Sequence, residues 1–407
     1  MPYSAEKKFI TSIRWNLLEG ITQNVLLFGH HLMLFNVVSR TLFGQAGTAI
    51  ATTYLLAHVA SAGFYATIGS SFRSWRYCQH TFLVYIVPHI IGTACVGFLL
   101  TGVVLAITWV PVGNVSYLIL SGLVISEAVR ETLKATAQTI FANKAHTTIN
   151  TLAIAAYCTI VWSYYYIGNS NLNLHALLLP LLGTSVVANV ALLYTIAHWF
   201  GKTTDQENDT THLQHKVLLK NRLHGAVYTL SSLPFNGNFL IPALAFRSGF
   251  ADVASLKLAN DATHYIGNLM RKALYTASHS FFAHTLTANG VIPQHSWRYA
   301  HATLHCMLAW YIPLGITAGC IATLMASANL LALLAFGLLK LGDCAIAPNE
   351  TRCFVESKPH FLTALGVVGC LVIATLFTLP SLLPGLILCV IATIRIALLC
   401  VFWSRMA

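Results

Sequence analysis

Long apolar stretches follow one another along the chain, and most are close to the length that a helix needs to cross a bilayer. The hydrocarbon core is about 30 Å thick, so a spanning helix needs about 20 mostly apolar residues. Charged residues make up only 9% of the chain and hydrophobic residues 56%, whereas a soluble domain carries about 25% charged residues. The surplus apolar surface must face lipid. The sequence therefore predicts an all-α, polytopic membrane protein without a separate soluble domain.

Twelve stretches are candidates for transmembrane helices. Their predicted bounds are 15–38, 45–68, 81–109, 115–136, 148–168, 174–200, 217–245, 250–275, 299–325, 328–341, 360–379 and 384–403. An arrangement with eleven helices stays open, because the apolar run 307–341 is long for one span and short for two. In that arrangement, residues 326–360 contain a re-entrant or interfacial segment instead of a full span.

In the same region, the sequence leaves open whether two cysteines form a disulfide. Cys344 and Cys353 bracket an Asn-Glu-Thr triplet at 349–351 that has the form of a glycosylation acceptor. A cysteine pair around such a triplet is typical of an extracytoplasmic loop. On the other hand, Lys340 and Arg352 would then lie on the side of the membrane that carries few basic residues.

Basic residues gather at the N-terminus and in alternate loops. The loops between spans 3 and 4, 5 and 6, and 11 and 12 carry none. This is the positive-inside pattern, and it predicts that both termini are cytoplasmic. The same pattern accounts for the formal net charge of +11, so nucleic-acid binding is not predicted.

The longest polar stretch lies near the middle of the chain and divides it into two halves. It predicts an N-terminal six-helix bundle at 1–200, a polar cytoplasmic linker at 201–216 and a C-terminal helix bundle at 217–407. A weak internal repeat, with glycine pairs at matched spacing, fits this division. Repeated halves usually form a transport site at their interface.

We single out five ionisable residues inside or at the ends of predicted spans, where a charge costs about 2.5–3.5 kcal/mol. They are Glu19, Arg40, Arg247, Lys257 and Asp261. Such residues usually face a cavity, and cationic ones favour an anionic substrate such as phosphate or pyrophosphate. Two alternatives stay open. The arginines could reach lipid headgroups, and Lys257 and Asp261, four positions apart on one helix face, could neutralise each other.

Two asparagines lie between prolines in the seventh span, a pattern that predicts a bent helix. Asn236 and Asn238 are flanked by Pro234 and Pro242. Polar side chains near a proline can satisfy the carbonyls that a bend frees. We expect these asparagines to line a cavity, with hydrogen bonding between helices as the alternative.

The chain has 18 histidines, and one pair has a spacing that suits a metal or haem. His301 and His305 share one face of a helix. A membrane histidine-metal or haem oxidoreductase is therefore the enzyme alternative. Because further histidine boxes of this kind do not follow, we predict a transporter with no catalytic residue, no metal ligand and no cofactor.

The junctions between spans 1 and 2 and between spans 7 and 8 carry short motifs. The first reads Ser-Arg-Thr-Leu-Phe-Gly-Gln-Ala-Gly at 39–47. In the second, Arg-Ser-Gly at 247–249 precedes a long helix that ends near Arg271 and Lys272. Over about residues 10–280, these motifs resemble the polysaccharide (Wzx-like) flippases of the multidrug/oligosaccharidyl-lipid/polysaccharide (MOP) exporter superfamily. The C-terminal third departs from the family pattern.

The resemblance implies two six-helix bundles that form a V around a central cationic cavity. Members of the family move lipid-pyrophosphate-linked sugars to the outer leaflet by alternating access. On this chain, Arg40, Arg247 and Lys257 would hold the pyrophosphate. Asp261 and Glu19 would adjust the charge or couple transport to an ion.

The resemblance also implies partners and a location. The partners are a lipid-linked glycan or another anionic amphiphile, membrane lipids and other glycan-assembly membrane proteins. The location is a bacterial inner membrane, with the N-terminus in the cytoplasm. A multidrug or small-molecule exporter of the same superfamily is the other transport alternative. Its substrates are usually cationic, and the basic residues argue against it.

Overall fold

The computed structural model describes most of the chain. The described residues are 2–62, 64, 68, 86–106, 117–140, 142–168, 172–202, 215–287, 290–326, 329–356, 367, 371 and 384–406. Every regular element among them is helical, so the prediction of an all-α fold is confirmed.

Among the described residues, six helices form the first half and six form the second. The first half contains α1 (Pro2–Val37), α2 (Arg40–Ala60), α3 (Val87–Ala106), α4 (Tyr117–Thr139), α5 (Asn143–Ile167) and α6 (Leu174–Lys202). The second contains α7 (His215–Ser232), α8 (Gly237–Ser248), α9 (Phe250–Thr285), α10 (Gln294–Ala326), α11 (Leu330–Val355) and α12 (Pro384–Met406). A 3-10 turn at Leu233–Phe235 separates α7 from α8, and these two helices together occupy the seventh predicted span. The predicted span 360–379 lies outside the described residues, apart from positions 367 and 371.

One continuous helix, α11, shows that residues 330–355 do not form a re-entrant segment. Asn329 directly precedes this helix, and its side chain caps the helix by accepting a hydrogen bond from the Ala332 N–H at 3.1 Å. With 26 residues, α11 is long enough to cross a bilayer. The re-entrant alternative is therefore wrong, and the predicted end of this span at 341 is corrected to Val355.

The loop expected around Cys344 and Cys353 is also wrong. Both cysteines are buried in α11, and neither is part of a disulfide. Their positions differ by nine residues, about 13 Å along a helix, whereas a disulfide needs Cα atoms within about 7 Å. The charged residues of this stretch have the composition of a loop, but Lys340, Asp343 and Glu350 form ion pairs inside the bundle.

The placement of apolar and charged side chains distinguishes the outer helices from the inner ones. Four of the described helices are long and apolar enough to cross a membrane by length and composition, namely α3, α6, α10 and α11. α3 and α10 turn large apolar side chains outward, as Leu99 and Leu324 show with exposures of 66% and 85%. In contrast, α1, α4 and α9 bury charged side chains. A membrane bundle turns such residues away from lipid, so these helices face the interior.

The long helix α9 joins the two halves. It packs against α1 and α2 of the first half and against α8, α10 and α11 of the second. Gly249 has a φ of 84°, a left-handed conformation that lets α9 begin directly after α8. Gly44 of α2 lies so close to the start of α9 that a Cβ there would stand 2.0 Å from the carbonyl oxygen of Phe250. Glycine at position 44 therefore allows the two halves to touch.

An apolar core also crosses between the halves. Leu32 of α1 and Ala51 of α2 belong to the same buried cluster as Leu240 of α8 and Phe336 of α11. The central helices are thus held by residues from both halves. Most of the predicted linker, residues 203–214, lies outside the described residues.

Candidate functional site

A cavity of about 340 Å³ lies between the two halves. Its walls come mainly from α1, α2, α4 and α5 of the first half and from α8 and α9 of the second. The lining contains amides, imidazoles and charged side chains, which are rare inside a membrane bundle. Four of the predicted site residues line this central cavity: Asn236, Asn238, Lys257 and Asp261.

Asp261 of α9 connects the two halves. The Lys257 ammonium, one helical turn earlier, donates a hydrogen bond to Asp261 Oδ1, and both side chains are buried. Nδ1 of His31, on α1, lies 2.8 Å from Asp261 Oδ2. Lys257 and Asp261 thus form an internally neutralised pair at the cavity wall, and His31 extends the pair to the first half.

Asn236 and Asn238 lie at the break between α7 and α8. The expected bend is a full break, because Pro234 lies in the 3-10 turn where an α-helix cannot continue. The Asn236 side chain accepts a hydrogen bond from the Asn238 N–H at 3.0 Å and so caps α8. The two asparagines therefore position the start of α8 at the cavity.

Glu19 is fully buried in a polar cluster between α1 and α5, next to the central cavity. Its carboxylate accepts hydrogen bonds from the Gln23 amide at 2.8 Å and from the Asn150 amide at 3.2 Å. Its Oε2 lies 3.1 Å from Nδ1 of His146. Asn150 Nδ2 also lies 2.7 Å from His146 Nε2. When Nε2 accepts from Asn150, Nδ1 carries the hydrogen that is donated to Glu19, as in a neutral imidazole.

This N-terminal cluster (Glu19, Gln23, His146 and Asn150) forms part of the cavity wall, since Gln23 and Asn150 line it. Sequence reasoning found Glu19 but missed His146 and Asn150. These two residues are four positions apart and share one face of α5. Their spacing was the only local signal, and it does not reveal that α5 packs on α1.

A second buried cluster lies between α9, α11 and α12. Arg395 donates to Asp343 at 3.2 Å, and the Lys340 ammonium lies 3.5 Å from the same carboxylate. Arg271, which also lines the central cavity, is 3.2 Å from the Glu350 carboxylate. Arg271 and Arg395 fall inside the predicted spans 250–275 and 384–403, and Lys340 falls at the end of the predicted span 328–341. They lie inside the bundle because each has an oppositely charged partner there.

α4 contributes two further ion pairs to the cavity that sequence reasoning missed. Arg130 lies 3.4 Å from Glu127, and Lys134 lies 3.5 Å from Glu131. Ser185 of α6 donates to Glu127 at 2.9 Å. The spacing of three within a helix was a usable signal for both pairs.

The two arginines proposed for pyrophosphate binding are not brought together with Lys257. Arg40 is exposed at the start of α2 and is not among the described residues that line the cavity. Arg247 belongs to α8, and its side chain lies outside the described part of the structure. Among the described side chains of this trio, Lys257 alone is at the cavity.

His301 and His305 lie on α10, away from the central cavity. The His301 ring packs on Trp297 with 4.1 Å between ring centroids, and His305 is exposed. Within the described ranges, no group of three or more His, Cys, Asp or Glu side chains could hold a metal ion. The geometry of these residues therefore gives the oxidoreductase alternative no support.

Solved structures of MATE transporters share this fold. A mutant of the Vibrio cholerae MATE transporter VcmN matches with a TM-score of 0.62 at 12% identity, over 99% of this chain and 98% of that one. The eukaryotic MATE transporter AtDTX14 matches with a TM-score of 0.56 at 12% identity, over 100% and 96%. An inward-facing multidrug resistance MATE family transporter of the MOP superfamily matches with a TM-score of 0.58 at 12% identity, over 94% of both chains.

No protein-family model and no curated protein sequence matches the chain. The third of these structures is described as a member of the MOP superfamily, the superfamily whose flippases the short motifs resemble. These structures are MATE transporters, however, and they give the polysaccharide flippase subgroup no support. The protein therefore has the all-helical fold of the MATE transporters.

Proposed function

We propose that the protein is a membrane transporter that exports amphipathic organic solutes through the central cavity. The observation that carries the proposal is the position of this cavity, between the halves and beside the His31–Asp261 contact that joins them. In alternating access, two halves rock around a fixed substrate site, so the site must lie at their interface. The fold supports the same function, since one structure that shares it is named as a multidrug resistance transporter.

The size of the cavity favours a drug-sized solute. Pockets for such ligands have volumes of about 300–1,000 Å³, and this cavity measures about 340 Å³. A lipid-pyrophosphate-linked oligosaccharide is several times larger and would need a much wider opening. The cavity therefore fits the exporter alternative better than the flippase.

The charges of the cavity lining also favour the exporter over the flippase. Three basic side chains of the lining are paired with acidic ones that also line it: Arg130 with Glu127, Lys134 with Glu131, and Lys257 with Asp261. Such a lining is nearly neutral and does not have the excess of positive charge that a pyrophosphate needs. It suits a solute with an apolar body and one charged or polar group.

The N-terminal cluster is the candidate for ion coupling. Glu19 shares a hydrogen bond with His146, a side chain that can carry a proton on either ring nitrogen or on both. Protonation or cation binding at Glu19 would alter the packing of α1 on α5. Since α1 also carries His31, the same helix would transmit the change to Asp261 in the second half.

Flipping of a lipid-linked glycan or another anionic amphiphile is the second candidate. The observation in its favour is Arg271, which lines the central cavity with its pairing partner Glu350 buried behind it. In that case, other glycan-assembly membrane proteins would be partners. For either substrate, the basic loops favour a cytoplasmic N-terminus, and the resemblance of the short motifs to the flippase family favours a bacterial inner membrane.

Transport by purified protein in liposomes tests the proposal. The probes are ethidium, an amphipathic cation, and a fluorescent polyprenyl-pyrophosphate disaccharide, each under an imposed pH or sodium gradient. Asp261→Asn removes a charge from the cavity, and Arg298→Gln removes one from an exposed position on α10. We expect ethidium transport by the wild type and by Arg298→Gln, with a loss of about 5–150-fold in Asp261→Asn.

Other outcomes overturn the proposal. Movement of the glycan lipid without movement of ethidium would establish the second candidate instead. Movement of neither probe under either gradient would contradict transport of both classes. Equal ethidium transport in all three proteins would remove the central cavity from the pathway.

A further inference from the structure

A second cavity, of about 510 Å³, lies beside the start of α1. Its described lining consists of three lysines, two hydroxyl side chains, a tryptophan and an asparagine, and none of these is acidic. No residue of this lining belongs to the lining of the central cavity. The two cavities are therefore separate and differ in charge.

The first wall of this cavity is a stripe along α1. Lys7, Lys8, Thr11, Ser12 and Trp15 repeat at intervals of three and four, so they share one helix face. The 36 residues of α1 extend for about 54 Å, whereas the hydrocarbon core is about 30 Å thick. The N-terminal turns of α1 must therefore continue into the headgroup region.

The second wall is the start of α5. The Asn143 amide nitrogen donates a hydrogen bond to Ser12, and both side chains are buried. Thr147 donates to the carbonyl oxygen of Trp15 at 3.2 Å, and the Lys144 ammonium lies 5.8 Å from the centre of the Trp15 ring. The cavity is thus a corner in which two helices are fixed to each other, and it does not depend on a loop.

One polar atom at the base of this corner lacks a partner. Asn143 is 2% exposed, and its amide oxygen has no hydrogen-bond partner among the described residues. A buried polar group without a partner is destabilising. A ligand with both an anionic group and a hydroxyl would engage the lysines and could satisfy this oxygen.

We infer that this corner, formed by Lys7, Lys8, Trp15, Asn143 and Lys144 and called the basic corner below, binds the headgroup of an anionic phospholipid. Phosphate esters are the anions that clustered lysines attract at a membrane surface, and basic pockets between transmembrane helices bind such headgroups. Trp15 indicates the depth of the basic corner in the bilayer, since tryptophan is enriched where the hydrocarbon core meets the headgroups. Free phosphate offers the same anionic chemistry but no acyl chains to hold it at that depth.

Binding there would brace the helices that hold Glu19. Ser12 and Asn143 fix α1 to α5 at the basic corner, and the Glu19–His146 contact fixes the same helices about two turns deeper along α1. A bound headgroup that neutralises the lysines would keep this junction closed. The inference concerns lipid binding and does not depend on the proposed solute transport.

Native mass spectrometry of the full chain tests the inference. The detergent-solubilised protein is titrated with phosphatidylglycerol or phosphatidylcholine, with and without an excess of inorganic phosphate. Lys7→Gln with Lys144→Gln removes two charges from the basic corner. Arg14→Gln with Arg298→Gln removes two charges from exposed positions that do not line it. All four side chains are exposed, so both double variants should fold.

We expect the wild type to retain one phosphatidylglycerol in clear preference to phosphatidylcholine. The basic-corner variant should bind that lipid at least about tenfold more weakly, because each lysine near a lipid surface contributes appreciably to the binding of an anionic headgroup. The matched variant should bind as the wild type does. Equal binding by all three proteins would overturn the inference. Displacement of the lipid by inorganic phosphate would assign the corner to free phosphate instead.

Discussion

Two polar clusters, one in each half, surround their acidic residues with different partners. In the N-terminal cluster, Glu19 is contacted by amides and by an imidazole. In the C-terminal cluster, Asp343 and Glu350 are contacted by lysine and arginine side chains. Arginine keeps its charge at any pH at which the protein is folded, whereas a histidine can lose or gain a proton near neutrality.

This difference assigns different tasks to the two clusters. The ion pairs of Asp343 and Glu350 hold α9, α11 and α12 together. An acid next to a histidine and amides can exchange a proton with modest rearrangement, because its partners tolerate both protonation states. We therefore expect the C-terminal cluster to act in stability and the N-terminal cluster to act in coupling.

The largest expected effect is on stability, from a change in the C-terminal cluster. Asp343→Ala leaves Lys340 and Arg395 buried with their shared carboxylate removed. Breaking a buried ion pair from one side costs about 3–5 kcal/mol. Unfolding in detergent, followed by tryptophan fluorescence, should show this loss.

A compensated variant sharpens the same comparison. Asp343→Leu combined with Lys340→Met and Arg395→Met removes all three charges together. Replacing a buried ionic group by apolar residues is often neutral or stabilising by about 1–4 kcal/mol. If the triple variant were as unstable as Asp343→Ala, the loss in Asp343→Ala would come from packing and not from unpaired charge.

The next effect is on transport, from a change in the N-terminal cluster. Glu19→Gln keeps the shape of the side chain, and its amide oxygen can still accept from Gln23 and Asn150, so the protein should remain folded. The His146 ring must move its hydrogen to Nε2 so that Nδ1 accepts from the new amide N–H. The substitution removes the group that would exchange a proton. Gradient-driven ethidium uptake should fall by about 5–150-fold, the range of typical coupling free energies. Uptake that still followed the gradient in this variant would place coupling elsewhere.

The smallest effect is expected from the histidine partner. His146→Gln keeps a hydrogen bond to Glu19 but loses the second titrating group. The net worth of one such hydrogen bond is about 0.5–1.5 kcal/mol, so stability should change by no more than this. The pH dependence of transport should become shallower. An unchanged pH profile would show that His146 only positions Glu19.

The sequence predicts contacts within one helix better than contacts between helices. Lys257 and Asp261 are four positions apart, so their pairing follows from helix geometry alone. His31 is 230 positions from Asp261 and His146 is 127 positions from Glu19. No local pattern carries those contacts, because they depend on how α1 packs on α9 and α5.

The sequence also misleads where charges are buried in pairs. Asp343 and Glu350 give residues 341–360 the composition of a loop, and the prediction ended the span at 341. These charges are satisfied by Arg395 and Arg271, which lie on other helices. Composition alone cannot distinguish a paired buried charge from a solvated one. The polytopic fold was predictable because it depends on the sum of apolar residues and not on how individual charges are paired.

Proton release on solute binding tests the division between the two clusters most directly. Ethidium is added to the detergent-solubilised protein in weak buffer, and a pH-sensitive dye reports the protons released per solute bound. The wild type and Glu350→Gln should both release about one proton per solute, and Glu19→Gln should release none. Undiminished release from Glu19→Gln, or its loss in Glu350→Gln alone, would contradict the assignment of coupling to the N-terminal half.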